Sequence, residues 1–221
     1  MPINRPGETT EPTAPAGVPR MTCVDPRSDE ELLRDHLAGQ PAAFEALVAR
    51  YVEDLYSFFE RFVGNGAAAE DLVQETLLQV HLAAGAFDPT RTFKPWLYTI
   101  AANKGRDHLR ASGRRPAQSL DVAAGHDETL TVGTLLEAES PDLGEQVDVD
   151  ARRRLVHVVL DEMPDAQKLM LVLGYFQRLP YSEIADILGV PVGKVKSRLH
   201  AAVNKFGELW RARTPSSGAE G

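Results

Sequence analysis

Five polar side chains, Lys194, Lys196, Ser197, Arg198 and His200, fall within seven residues of a segment whose apolar positions are Val192, Val195 and Leu199. At helical spacing the two sets lie on different faces, one for packing and one cationic and rich in donors. Lysine and arginine suit phosphate oxygens and the acceptor edge of guanine, and serine suits either partner. Any one of the five is equally well explained by a phosphate contact, which positions without specifying. Their placement gives the set its meaning. Just before them, Ile184, Ala185, Ile187 and Leu188 form a second apolar face, with Ser182 as the expected cap. Gly189 suits a left-handed helix end and Pro191 discourages continuation. A basic helix held by another helix across a tight turn is the geometry that enters a DNA major groove. Lys196 and Arg198 are expected to contribute most.

A second constellation lies at 87–110. Phe87, Phe93, Trp96 and Tyr98 interleave with Arg91, Lys94, Lys104, Arg106 and Arg110. Bases stack on rings for about 1–3 kcal/mol each while cations neutralise phosphates, so the mixture suits single-stranded nucleic acid. Trp96, Leu97, Ile100 and Ala101 have the spacing of a buried face, so Trp96 is expected in the core. Asn103 can bond a base edge through both ends of its amide. A third group, Asp71, Gln74 and Glu75, is spaced i, i+3, i+4 opposite Leu72, Val73 and Leu77. Those three share one helix face, which is either simply solvated or a docking surface for cationic side chains.

The elements that carry these groups are all helical. Helices are expected over 30–37, from about 44 to 63, over 68–83, and from Pro95 to about Arg110, with Gly64-Asn65-Gly66 as a turn. Further helices are expected from about 151 to Pro164, over 165–176, and in the helix-turn-helix pair. The fold class is therefore all-α, with two small helical domains, 29–115 and 151–213. Residues 1–28, rich in Pro, Thr, Gly and Ala, and residues 214–221 are expected to be disordered tails. Residues 116–150 are expected to form a flexible linker.

Charge divides along the same lines. The net charge of −8 conceals a balance of +6 over 91–115 and +5 over 151–213, set against −9 over 119–150. Field distribution, and not net charge, governs binding to a polyanion. Catalysis finds no support. The six histidines show no metal-ligand spacing, Cys23 is alone in a tail, and Gly64-Asn65-Gly66 lacks the lysine of a phosphate-binding loop. No enzyme activity, cofactor or metal is expected. No apolar run approaches the ~20 residues of a membrane span, and the N-terminus lacks a signal-peptide core, so a cytoplasmic protein without membrane insertion is expected.

Four segments in order, 44–51, 71–80, 93–110 and 181–202, resemble the extracytoplasmic-function (ECF) sigma factors of bacterial RNA polymerase. The resemblance implies two domains, called sigma2 and sigma4, joined by a linker and without a catalytic site. It implies that Asp71, Gln74 and Glu75 dock on the β′ coiled coil of core polymerase, which is bound together with the β subunit. It further implies that Arg91, Lys94, Tyr98, Asn103, Lys104, Arg106 and Arg110 serve the −10 promoter element and assist melting. Lys194, Lys196, Ser197, Arg198 and His200 would serve the −35 element. An anti-sigma factor is an implied partner. By the same analogy, the acidic linker would occupy the polymerase's RNA channels as an RNA mimic. Ala201-Ala202-Val203 departs from the family, which usually carries further arginines there, so −35 binding by the far end of that helix is expected to be weaker. The alternatives are a stand-alone helix-turn-helix regulator and a sigma-like decoy that docks without opening promoters.

Overall fold

A computed structural model describes residues 25–113 and 149–214. Residues 1–24, 114–148 and 215–221 therefore lie outside the described part, while Val149 and Asp150, expected in the linker, already open a helix. Among the described residues every regular element is helical, as the sequence reading required.

The first domain has four helices: α1 (Asp29–Leu37), α2 (Pro41–Val63), α3 (Gly66–Ala83) and α4 (Phe93–Ala111). Ser28 opens α1 with a capping box, accepting from Glu31 N while the Glu31 carboxylate accepts from Ser28 N. The described residues include 25–28, ahead of the expected boundary at 29. Arg27 bonds both Asp25 and Asp35, and holds the Asp25 carboxyl down at about 2. Arg50 then ties Asp29 to the carbonyls of Asp25 and Arg27. The long α2 supplies the centre of the domain, burying Leu47, Tyr51, Leu55, Phe58, Phe59 and Phe62. Gly64 ends it at φ 78°, a left-handed position natural to glycine. Asn65 then caps α3 by accepting from Ala68 N at 3.1 Å.

The second domain contains α5 (Val149–Glu162), α6 (Asp165–Leu171), α7 (Tyr181–Leu188) and α8 (Val192–Arg211). The helix expected over 165–176 changes character midway, because residues Val172–Phe176 form a π turn. Two further expectations fail locally. Ser182 does not cap α7, which starts one residue earlier behind Pro180 and has no side-chain cap. Val192 is 51% exposed, so the buried stripe of α8 starts at Val195 and continues through Ala202, Val203, Phe206 and Trp210. The apolar residues of both domains join in one continuous core. No described helix is long and apolar enough to cross a membrane.

Candidate nucleic-acid interface

The helix-turn-helix is built as its residues dictate. Ile184, Ala185 and Ile187 bury one face of α7, and Gly189 ends it at φ 64°. Leu199 of α8 packs over Gly174, where an added Cβ would come within 2.9 Å of Leu199 Cδ1. That close seat fixes the rotation of α8. It leaves Lys194 and Lys196 exposed, with Ser197, Arg198 and His200 half-buried beside them. Ser197 Oγ donates to the Lys194 carbonyl at 3.1 Å, and Asn204 Nδ2 lies 3.1 Å from His200 Nε2, fixing the imidazole along the helix. The structure also explains part of the family departure. Ala202 and Val203 are 0% and 9% exposed, so they belong to the core and face no groove. Only Ala201 stands where an added cation would reach solvent.

On α4 the buried stripe is Phe93, Leu97, Tyr98, Ala101, Ala102, Gly105 and Leu109. It is displaced from the expected Trp96–Ala101 face because α4 is covered on two sides, by α2 and α3 and also by the second domain. Trp96 is only half-buried, packed 5.1 Å from Phe87 and 5.8 Å from Phe93 between ring centroids. Tyr98 is fully enclosed, edge-on to Phe58 at 5.5 Å, with its hydroxyl donating to Gln177 at 2.9 Å. Burial and the nearby Asp54 charge push its phenol above the usual range. Tyr98 therefore stands apart from the other proposed −10 residues, being closed off from any ligand in this form.

Those others share the polar face. Asn103 and Arg110 are exposed, and Lys104 and Arg106 are half-buried. Arg106 donates to Asn103 Oδ1 at 3.1 Å, and burial lowers its pKa. Arg110 pairs with Asp107 at 3.0 Å. Arg91 is exposed in the loop ahead of α4, 3.8 Å from Asp88, and Lys94 is half-buried in the first turn.

Asp71, Gln74 and Glu75 are all exposed on α3, with Leu72, Val73 and Thr76 beneath them. Glu75 pairs with Lys104 at 3.0 Å, joining this face of α3 to the polar face of α4. A groove of about 570 Å³ between α2 and α3 is lined by Val52, Glu53, Tyr56, Ser57, Glu70, Val73 and Gln74. Sequence reasoning missed its α2 side, because Glu53 and Tyr56 are distant in the chain from the α3 motif. Leu78 and Leu82, 58% and 69% exposed, extend the outer face of α3 with apolar surface.

A basic helix-turn-helix packed on a second helical domain with an acidic outer helix defines a class of two-domain, all-α helix-turn-helix proteins. The Sigma-70 region 2 family matches residues 47–115, and the Sigma-70, region 4 family matches residues 153–206. The chain is 33% identical over 178 residues to RNA polymerase sigma-H factor of Pseudomonas aeruginosa, spanning 79% of this chain and 89% of that protein. It is 34% identical over 179 residues to ECF RNA polymerase sigma-E factor of Escherichia coli K12, spanning 79% and 90%. The fold is shared with CnrH, solved with the cytosolic domain of CnrY (TM-score 0.63, 24% identity, 85% of this chain and 100% of that one). It is also shared with RpoE of Bartonella quintana, solved with the anti-sigma factor NepR (TM-score 0.55, 24% identity, 77% and 98%). The chain belongs to the extracytoplasmic-function sigma factors.

Proposed function

We propose that this chain directs core RNA polymerase to a specific set of promoters in the bacterial cytoplasm and takes part in opening them, performing no chemistry of its own. The observation that carries this reading is the pairing, in one chain, of an exposed cationic start to α8 with a separate domain whose α3 presents Asp71, Gln74 and Glu75. A stand-alone regulator needs only the first of these. The likeness to sigma factors, which spans both domains, also argues against that alternative.

Each surface has a physical task. Lys194, Lys196 and Arg198 approach duplex DNA in the major groove, where phosphate contacts set the register and base-edge contacts specify. The polar face of α4, with Asn103, Lys104, Arg106 and Arg110, faces the strand exposed on melting. Carboxylates and the Gln74 amide on α3 meet cationic side chains of the polymerase, and the α2/α3 groove receives apolar atoms from the same partner. Docking there competes for Glu75 and so releases Lys104 toward DNA. An anti-sigma protein covering these surfaces is the expected mode of restraint.

Run-off transcription with purified core polymerase tests the reading. Promoter-specific transcript is expected with the wild-type chain and is expected to vanish when Asp71, Gln74 and Glu75 are all replaced by alanine. Retained transcript from a folded triple variant would remove α3 as the docking face.

A further inference from the structure

Val192 is the one apolar side chain of α8 left exposed, at 51%. Apolar spacing alone would bury it with Val195, which is fully enclosed three residues on. It stands in the first turn of the helix, behind Pro191, which starts α8 without a side-chain cap. Pro191, Gly193, Lys194 and Lys196 are exposed beside it, so the tip of the helix faces solvent. Lys196 follows Val192 by four residues and His200 follows Lys196 by four, so the three share one side of α8. Gly193 is a second, independent observation. Glycine is a poor helix former, and among the described residues no contact requires it here. A Cβ built on Gly193 would meet nothing within 4 Å, and its φ is not left-handed. Gly174 is the contrast, since Leu199 fills the space above it. A glycine uncrowded by its own chain leaves room for the close approach of another molecule.

We propose that Val192 is a sequence-reading residue: its methyl groups pack on the C5-methyl of one thymine in the major groove, and Gly193 gives the DNA room to come that close. This rests on the reading of α8 as the promoter-facing helix. In a helix-turn-helix the first residues of the second helix meet base edges. Among the four bases, the apolar group displayed in the major groove is the thymine methyl. Valine has no side-chain donor or acceptor with which to read any other group. The lysines beside it suit phosphates, whose contacts position without specifying. Val192 supplies what phosphate contacts lack, a preference for one base pair. The same reasoning places specificity at the start of the helix. Farther along, Ala201 is half-buried and Ala202 and Val203 belong to the core, so no exposed apolar side chain recurs on α8.

The experiment uses holoenzyme assembled from the full chain and core polymerase. Duplexes are enriched by binding from a randomised pool. In the most enriched duplex each thymine is replaced in turn by deoxyuridine, which removes the C5-methyl and leaves pairing intact. One replacement is expected to weaken binding about fourfold, the cost of losing one buried methyl. Holoenzyme with Val192→Ala is expected to bind the unmodified duplex about fourfold less tightly and to be indifferent to that replacement, whereas Val192→Ile remains sensitive. Val192 is exposed, so neither substitution touches the core, and an unchanged melting temperature checks this. No sensitivity to any replacement, or the same sensitivity in Val192→Ala as in wild type, would overturn the proposal. Should the holoenzyme enrich no duplex while the chain alone does, the sigma reading falls, and the same scan on that duplex still decides Val192. Enrichment by neither would overturn both.

Discussion

Thr76 is fully buried in α3, and among the described residues its hydroxyl has no hydrogen-bond partner. An unsatisfied buried donor costs about 1–3 kcal/mol, and valine has the same shape without it. Thr76→Val is therefore expected to raise stability by about 1 kcal/mol, measured by urea unfolding. His36 supplies a residue-scale pH dependence. Its ring lies 4.8 Å from Phe44 and 4.9 Å from His81, and burial, followed by the His81 charge, lowers its pKa below 6.5. The unfolded imidazole then takes up a proton before the folded one does. Stability is complete above about pH 6.5 and declines as pH falls from there through the lower folded pKa. His36→Phe is expected to flatten that decline, as followed by melting temperature between pH 7.5 and 5. A slope unchanged by the substitution would assign it elsewhere. At the DNA surface, Lys196→Ala is expected to weaken promoter binding across sequences and to reduce the salt slope by about 1.

At the scale of elements, α4 is positioned by features of two other helices, α2 and α1. Gly105 lets it approach α2 so closely that a Cβ would stand 2.7 Å from Phe62 Cδ1 and Cε1. Gly105→Ala gains about 1 kcal/mol of helix propensity, but overpacking costs about 1–3 kcal/mol. The Phe62 ring is itself fully buried, so net destabilisation is expected. Calorimetry would check this, and a stabilised variant would show that Phe62 moves freely aside. The start of α4 is capped from afar: Thr92 makes no side-chain cap, and the Glu30 carboxylate of α1 accepts from Phe93 N at 2.8 Å instead. The polar face of α4 is thus oriented by α1 as well as by its own sequence.

For the whole molecule, the buried residues join across the domain boundary, so α4 and α8 belong to one packed body.

Local pattern was enough for the helices, the two domains, the basic second helix of the helix-turn-helix and the acidic face of α3. Each depends on residues within a turn or two of one another, where 3.6-residue spacing decides which side chains share a face. Three placements depended on partners far along the chain. Tyr98 looked free to stack on a base, but Gln177, 79 residues away, takes its hydroxyl. The α8 stripe began at Val195 because Leu199 seats on Gly174. The helix expected over 165–176 holds to Leu171 and gives way to a π turn over Val172–Phe176, where it meets the first domain. Periodicity states that a face is apolar or polar; only tertiary packing decides which neighbour covers it, because burial on a second side is invisible to the spacing of one helix.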